Sequence, residues 1–367
     1  MKNPNPSVGD RALPHVRALD AYVPGKQPRD LGWIKLNTNE NPYPPSPVVE
    51  EVICKSAGEA LKTYPDPISA ALREQLAGFF GLPGSEWVFV GNGSDEVLNL
   101  LVRTFSDRDR PVGYMAPSYS LYPVLQKMLN AAIAELRYTR AMGLPIPAIA
   151  RCGANIFFLT SPNAPTGVGI STGSVEALLN RFGGVLVVDE AYAAFAEEDA
   201  IGLLARYDNL CITRTFSKSH SLAGMRIGFL LGNPGFVELL DKVRDSYNVN
   251  ILSQLAGLAA LSDDGYYRDL AQKIKRTRDR HFEALQGRGW FTYPSQANFL
   301  FTEPTDSKGN TGPPVAQSLY DFLYRKKILV RYFGNDPLTD SFLRISIGSE
   351  KEMEIISEAF DQWQNSA

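Results

Sequence analysis

The sequence is poor in the residues that staple or metallate a fold. Its three cysteines, Cys54, Cys152 and Cys211, are far apart and outside any CxxC spacing. That excludes a disulfide framework and points to a reducing compartment. Its three histidines, His15, His220 and His281, are too scattered to build a transition-metal site by local spacing, so no metal is expected. Positive charge is not in excess: 37 Lys and Arg stand against 40 Asp and Glu, for a formal net charge of -3. Without a basic stripe carrying interleaved aromatics, nucleic acid is not an expected partner. No stretch offers the ~18 uninterrupted apolar residues of a membrane span. The opening "MKNPNPSVGDRALPHVRALD" also lacks the apolar run of a secretory signal, and the chain reads as cytoplasmic.

What is there is enough for a large core. With 367 residues and 44% hydrophobic content, the chain suits one large domain and one smaller one. Residues 1–50 are proline-rich and end in "LNTNENPYPPSP", which forbids a regular helix and predicts an extended arm joined to the smaller domain. Residues 51–255 alternate helical patterns with short apolar runs: "EWVFVGNGS", "PVGYMAPS", "NIFFLTSPN", "GVLVVDEAY", "LCITRTFSK" and "RIGFLLGNP". Buried strands separated by helices predict an α/β domain, a mainly parallel sheet with helices on both faces. Residues 256–367, with "ANFLFTEP", "ILVRYFG" and "FLRISIG" between charged helices, predict a smaller α+β domain.

The polar motifs fall where ligands of an open parallel sheet sit, beyond the carboxyl ends of strands. After the first strand, Gly93, Ser94 and Asp95 open an apolar-periodic helix, whose free N–H groups suit a phosphate or a simple capping role. The apolar run "GVLVV" ends in Asp189, Glu190 and Tyr192. A buried Asp189 requires a cation or strong donor, and a cationic ring nitrogen fits better than a metal. Lys218 follows another strand among Ser217, Ser219 and Ser221, with Arg226 eight residues on. One cofactor accounts for all three strand ends. Pyridoxal phosphate takes a Schiff base from Lys218, a counter-charge from Asp189, and phosphate contacts from the glycine turn, Ser217 and Arg226.

These stretches carry a resemblance. In order they are "YVPGK" at 22, "LNTNENPY" at 36, "TYPDP" at 63, "GNGSDE" at 91, "APSYSLY" at 116, "SPNAPTG" at 161, "DEAY" at 189, "TFSKSHSLAGMRIGF" at 215, "YNVN" at 247, "ANFL" at 297 and "LRISIG" at 343. The chain resembles the fold type I pyridoxal phosphate aminotransferases and, within them, the histidinol-phosphate aminotransferases. The resemblance implies a large domain with a seven-stranded type of sheet and a small α+β domain. It makes Lys218, Asp189 and Tyr192 catalytic, with Tyr192 donating to the cofactor's 3-oxygen and Tyr119 stacking on its ring. It adds Gly93, Ser94, Asp95, Ser217 and Arg226 around the phosphate, together with Tyr64 from the neighbouring subunit of a homodimer. Asn163 is expected near the 3-oxygen, because Ala164 stands where the family more often has asparagine.

For substrate, the resemblance implies Tyr22, Asn39, Arg331 and Arg344. Arg344 matches the arginine that grips an α-carboxylate, a task suited to a planar fork. Arg331 and Tyr22 match positions near a distal phosphate. The implied reaction is ping-pong transfer of an amino group from histidinol phosphate to 2-oxoglutarate, a step of histidine biosynthesis. An aromatic or broad-range aminotransferase, a threonine-phosphate decarboxylase-like enzyme and a noncatalytic cofactor-binding module are the alternatives.

Overall fold

The computed structural model describes residues 7–19, 25–28 and 30–366; Tyr22 lies outside the described residues. All six apolar runs form strands of one seven-stranded sheet. Its spatial order is Val88–Asn92, Ile227–Gly232, Leu210–Thr215, Val185–Asp189, Ile156–Thr160, Val112–Ala116 and Ile133–Arg137. Side chains alternate between faces along a strand, so Leu186 and Val188 enter one hydrophobic cluster and Val187 another. Both faces are therefore covered, which is why these strands read as unbroken apolar runs.

Strand Ile133–Arg137 was not among the apolar runs. It lies at the sheet edge, with exposed and half-buried positions alternating and Ile133 exposed. A strand covered on one side needs no continuous apolar stretch.

One strand, Ile227–Gly232, runs antiparallel to both neighbours, while the other pairs along the sheet are parallel. Its first residues thus lie beside the last residues of the adjacent strands. This reversal brings Arg226, which precedes it, to the edge that carries Asp189 and Lys218.

The smaller body is an antiparallel sheet in the order Arg331–Tyr332, Leu343–Ser346, Phe299–Glu303 and Phe291–Thr292. Leu319 of helix Pro313–Arg325 and Ile356 and Phe360 of helix Glu350–Ser366 share a cluster with Phe299 and Ile345 of this sheet. The arm's Ile34–Lys35 pairs in parallel with Ile328–Leu329, so the arm is built into the smaller body. Helix Ile251–Ser262 packs on helices Pro47–Ser56 and Ala70–Phe79. Because residue 255 lies inside that helix, we place the division between the bodies later, along the long helix Asp264–Gly287. No helix among the described residues is long and apolar enough to cross a membrane.

Candidate active site

A cavity of about 350 Å³ lies between the sheet's carboxyl edge, the smaller body and the arm. At one end, Gly93 turns the chain with φ +81° into helix Ser94–Phe105. That helix buries Val97, Leu98 and Leu101, leaving its start at the cavity wall. Two glycines make the approach possible. A Cβ on Gly228 would lie 2.1 Å from the Ser94 nitrogen, and one on Gly93 would lie 2.6 Å from Arg226 Nη2. Arg226 donates to Asp95 Oδ2 at 3.0 Å, and the Tyr119 hydroxyl donates to Asp95 Oδ1 at 2.9 Å. Asp95 thus ties Arg226 and Tyr119 together at the start of this helix. Ser217 is buried beside them and accepts from Thr215 Oγ1 at 2.9 Å.

Asp189 stands at the cavity floor, buried and 2.7 Å from the Tyr122 hydroxyl that donates to its Oδ2. Thr213 Oγ1 donates to its Oδ1 at 3.2 Å, and the Tyr122 hydroxyl also lies 2.7 Å from Thr160 Oγ1. Burial raises the Asp189 pKa to about 6 against the lowering effect of these donors. A buried cation at the cavity floor would favour its charged form. Tyr122, Thr160 and Thr213 escaped the sequence reading. The one signal was the spacing of Tyr122 three residues after Tyr119, close to one helical turn.

Lys218 leaves the end of its strand in a short turn, where Thr215 Oγ1 accepts from the Ser217 N–H at 3.1 Å. Its Nζ donates to the Thr38 carbonyl of the arm at 2.9 Å. Asn41 Nδ2 donates to the Lys218 carbonyl at 3.2 Å, so the arm grips this turn from both sides. Burial lowers the Lys218 pKa to about 8, and the Arg344 cation adds to that effect. A substantial neutral fraction at physiological pH makes it a competent nucleophile and base. Its neighbour His220 packs between Phe216 and Tyr267 and is absent from the cavity wall; burial lowers its pKa to about 4.

Opposite Lys218, Arg331 and Arg344 face each other directly across two antiparallel strands, and both line the cavity. Their guanidinium groups lie over the Phe333 ring, at 5.5 and 5.3 Å from its centroid. Arg344 Nη2 donates to the Asn37 carbonyl at 3.0 Å, which fixes its fork. Arg331 has no carboxylate partner among the described residues. Like charges directly opposite each other are destabilising in a sheet, so this pair favours an anionic guest.

Tyr192 also lines the cavity, with its hydroxyl accepting from Asn39 Nδ2 at 2.9 Å. Asn39 borders the same space, although its amide engages Tyr192 and Ser346. Asn163 is not brought to the cavity. Its Nδ2 donates to Thr166 Oγ1 at 3.0 Å inside its own turn, and Ala164 and Pro165 form the wall instead. Tyr64 is 78% exposed and stacks on Tyr247, away from its own chain's cavity.

The cavity therefore offers an anion site at a helix start, a buried carboxylate, a recessed amine and two facing arginines. These donors fit a cofactor with one phosphate, one ring cation and one carbonyl group. The family model for aminotransferase class I and II matches residues 32–360. The chain belongs to this family. The aminotransferase is 44% identical to a histidinol-phosphate aminotransferase from Geobacter sulfurreducens, over 93% of this chain and 95% of the relative. It is 40% identical to histidinol-phosphate aminotransferase 1 from a Nostoc species, over 94% of this chain and 96% of that protein. Among solved structures, it superposes with a TM-score of 0.86 on the Sinorhizobium meliloti histidinol-phosphate aminotransferase in complex with pyridoxal-5'-phosphate. That pair is 26% identical and covers 97% of this chain and 98% of the other. The fold of this aminotransferase is thus the fold type I arrangement, with its cavity between a large mixed sheet and a small antiparallel one.

Proposed function

We propose that this pyridoxal phosphate-dependent aminotransferase moves the amino group of histidinol phosphate to 2-oxoglutarate, giving imidazole-acetol phosphate and glutamate. The observation that carries the substrate reading is the facing pair Arg331 and Arg344 over Phe333. The phosphate of one substrate and the carboxylates of the other each supply the negative charge that this pair favours. The curated relatives of the same length support the same reading.

When bound, pyridoxal phosphate supplies an electrophilic carbonyl and an electron-accepting ring. The protein does the rest. Ser94, Ser217 and Arg226 hold the phosphate, Asp189 balances the ring cation, and Tyr119 covers a ring face. Lys218 Nζ takes the proton from the substrate α-carbon and returns it on the other side of the exchange, as a positioned general base and acid. Tyr64, exposed on its own chain, reaches the phosphate of a second subunit, which makes the working unit a homodimer.

An assay of histidinol phosphate with 2-oxoglutarate tests this reading. Glutamate formation supports it. Release of carbon dioxide, or turnover only with phenylalanine as donor, would replace it with one of the alternatives. Arg331→Gln is expected to raise KM for histidinol phosphate about 10–100-fold, since hydrogen bonds to charged groups are worth about 1.5–3 kcal/mol. Its effect on phenylalanine should be much smaller, and equal effects on both donors would remove Arg331 from the substrate site.

Capture of the cofactor by the apoprotein should follow Asp189. Its folded pKa is raised to about 6, so the carboxyl becomes protonated and loses its counter-charge as pH falls through that value. Affinity measured by the growth of visible absorbance is expected to weaken below pH 6. Tyr122→Phe removes a donor to the carboxylate and should move that midpoint upward; an unchanged midpoint would separate Tyr122 from this role.

A further inference from the structure

We propose that Glu40 and Lys35 of the arm are positioning residues that set the protonation of the Lys218 amine. Glu40 supplies a negative charge at the cavity wall, and Lys35 anchors that charge and weakens its pull. The proposal rests on the reading of Lys218 as the proton-transfer group.

The two residues belong to one short stretch of the arm. Lys35 ends the strand Ile34–Lys35, which pairs with Ile328–Leu329 of the smaller body. Its Nζ donates to Thr38 Oγ1 at 2.8 Å and forms an ion pair with Glu40 Oε2. The carbonyl of the same Thr38 accepts from Lys218 Nζ at 2.9 Å. Asn39, between Thr38 and Glu40, is held by Asn298 Nδ2, which donates to its carbonyl at 2.9 Å. Asn41, directly after Glu40, donates from Nδ2 to the Lys218 carbonyl at 3.2 Å. The chain on both sides of Glu40 is therefore tied to Lys218, which holds the carboxylate at a set place relative to the amine.

Thr38, Glu40 and Lys218 line the cavity, whereas Lys35 does not. The ion pair thus presents its negative member to the site and keeps its cation behind. Among the described residues, three carboxylates line this space: Glu40, Asp95 and Asp189. Asp189 is engaged by Tyr122 and Thr213, and Asp95 by Arg226 and Tyr119. Glu40 comes instead from the arm, with the Thr38 carbonyl that the amine contacts.

The charges around Lys218 oppose one another. Burial and then Arg344 lower its pKa, Arg226 adds to that effect, and Glu40 and Asp95 raise it. Arg331, Asp189, Tyr119 and Tyr192 border the same cavity. The coupling is mutual. Burial works to raise the Glu40 pKa, the Lys35 contact outweighs it, and Lys218 adds to the lowering. A buried amine with only cations near it stays neutral and is a poor holder of the proton it removes; Glu40 restores part of its basicity. Lys35 sets the limit, because a paired carboxylate exerts a weaker field than a lone one.

The test is the pH midpoint of Lys218 acetylation by acetic anhydride in the full-length protein freed of cofactor, read by peptide mapping. Only the neutral amine reacts. An adjacent opposite charge moves a pKa by about 1–3 units, and Glu40, itself paired and half-buried, should act below that range. Glu40→Gln should lower the midpoint by about 0.5–1 pH unit, and Lys35→Met should raise it by about as much. The opposite signs separate this role from mere support of the arm, since an arm released by either substitution would hydrate Lys218 and raise both midpoints. An unchanged or raised midpoint in Glu40→Gln overturns the proposal. So does an unchanged or lowered midpoint in Lys35→Met, which decides the matter if Glu40→Gln fails to fold. In the cofactor-loaded enzyme, the limb of kcat that rises with pH should move in the same two directions. Acetylation midpoints that shift as expected while that limb stays fixed would uphold the role of Glu40 and Lys35 and remove Lys218 from the proton transfer.

Discussion

Replacing Lys218 with alanine is expected to lower glutamate formation about 10⁴-fold, the upper range for loss of a positioned proton-transfer group. The amine sits at the cavity wall with a pKa lowered to about 8, held against the Thr38 carbonyl. The phosphate contacts proposed for Ser94, Ser217 and Arg226 and the ring contact proposed for Asp189 would remain in this variant. Cofactor binding should therefore persist with an altered visible spectrum, while steady-state turnover disappears. Activity within tenfold of the wild type would remove Lys218 from the chemistry.

Asp189→Asn is expected to lower kcat about 10²–10⁴-fold, since leaving one member of a buried ion pair without its partner costs about 3–5 kcal/mol. The amide keeps the shape and can still accept from one of Tyr122 and Thr213, but it supplies no charge to a ring cation. A ring that is not held protonated is a weaker electron acceptor, so the loss falls on the chemical step. Single-turnover absorbance measurements separate this from weaker cofactor affinity. Normal single-turnover rates in the saturated variant would assign Asp189 to binding alone.

Much of this site was legible because its chemistry lies at strand ends. Asp189 ends a largely buried apolar strand, Lys218 follows three residues after the end of another mostly buried strand, and the turn at Gly93 opens a helix at the same edge. Parallel strands bring such ends together without further information. The residues behind them were not legible. Tyr122, Thr160 and Thr213 converge on Asp189 from three separate segments, and no local pattern announces that convergence.

Asn163 shows the opposite difficulty. Its residue type suited the cavity, but successive residues of a turn point in different directions. The backbone of "SPNAPTG" aims Asn163 at Thr166 and leaves Ala164 and Pro165 at the wall. The edge strand Ile133–Arg137 was hidden for a related reason, since its exposed side removes the continuous apolar signal. Asn39 was legible as a site residue by resemblance alone. Only the fold shows that its amide is committed to Tyr192 and Ser346.

Reduction of the cofactor-loaded protein with borohydride, followed by peptide mapping, tests the central claim most directly. The account predicts that the visible absorbance is lost and that the cofactor remains covalently attached to the peptide containing Lys218. Recovery of unmodified Lys218 after complete reduction, or labelling of a different lysine, would contradict it.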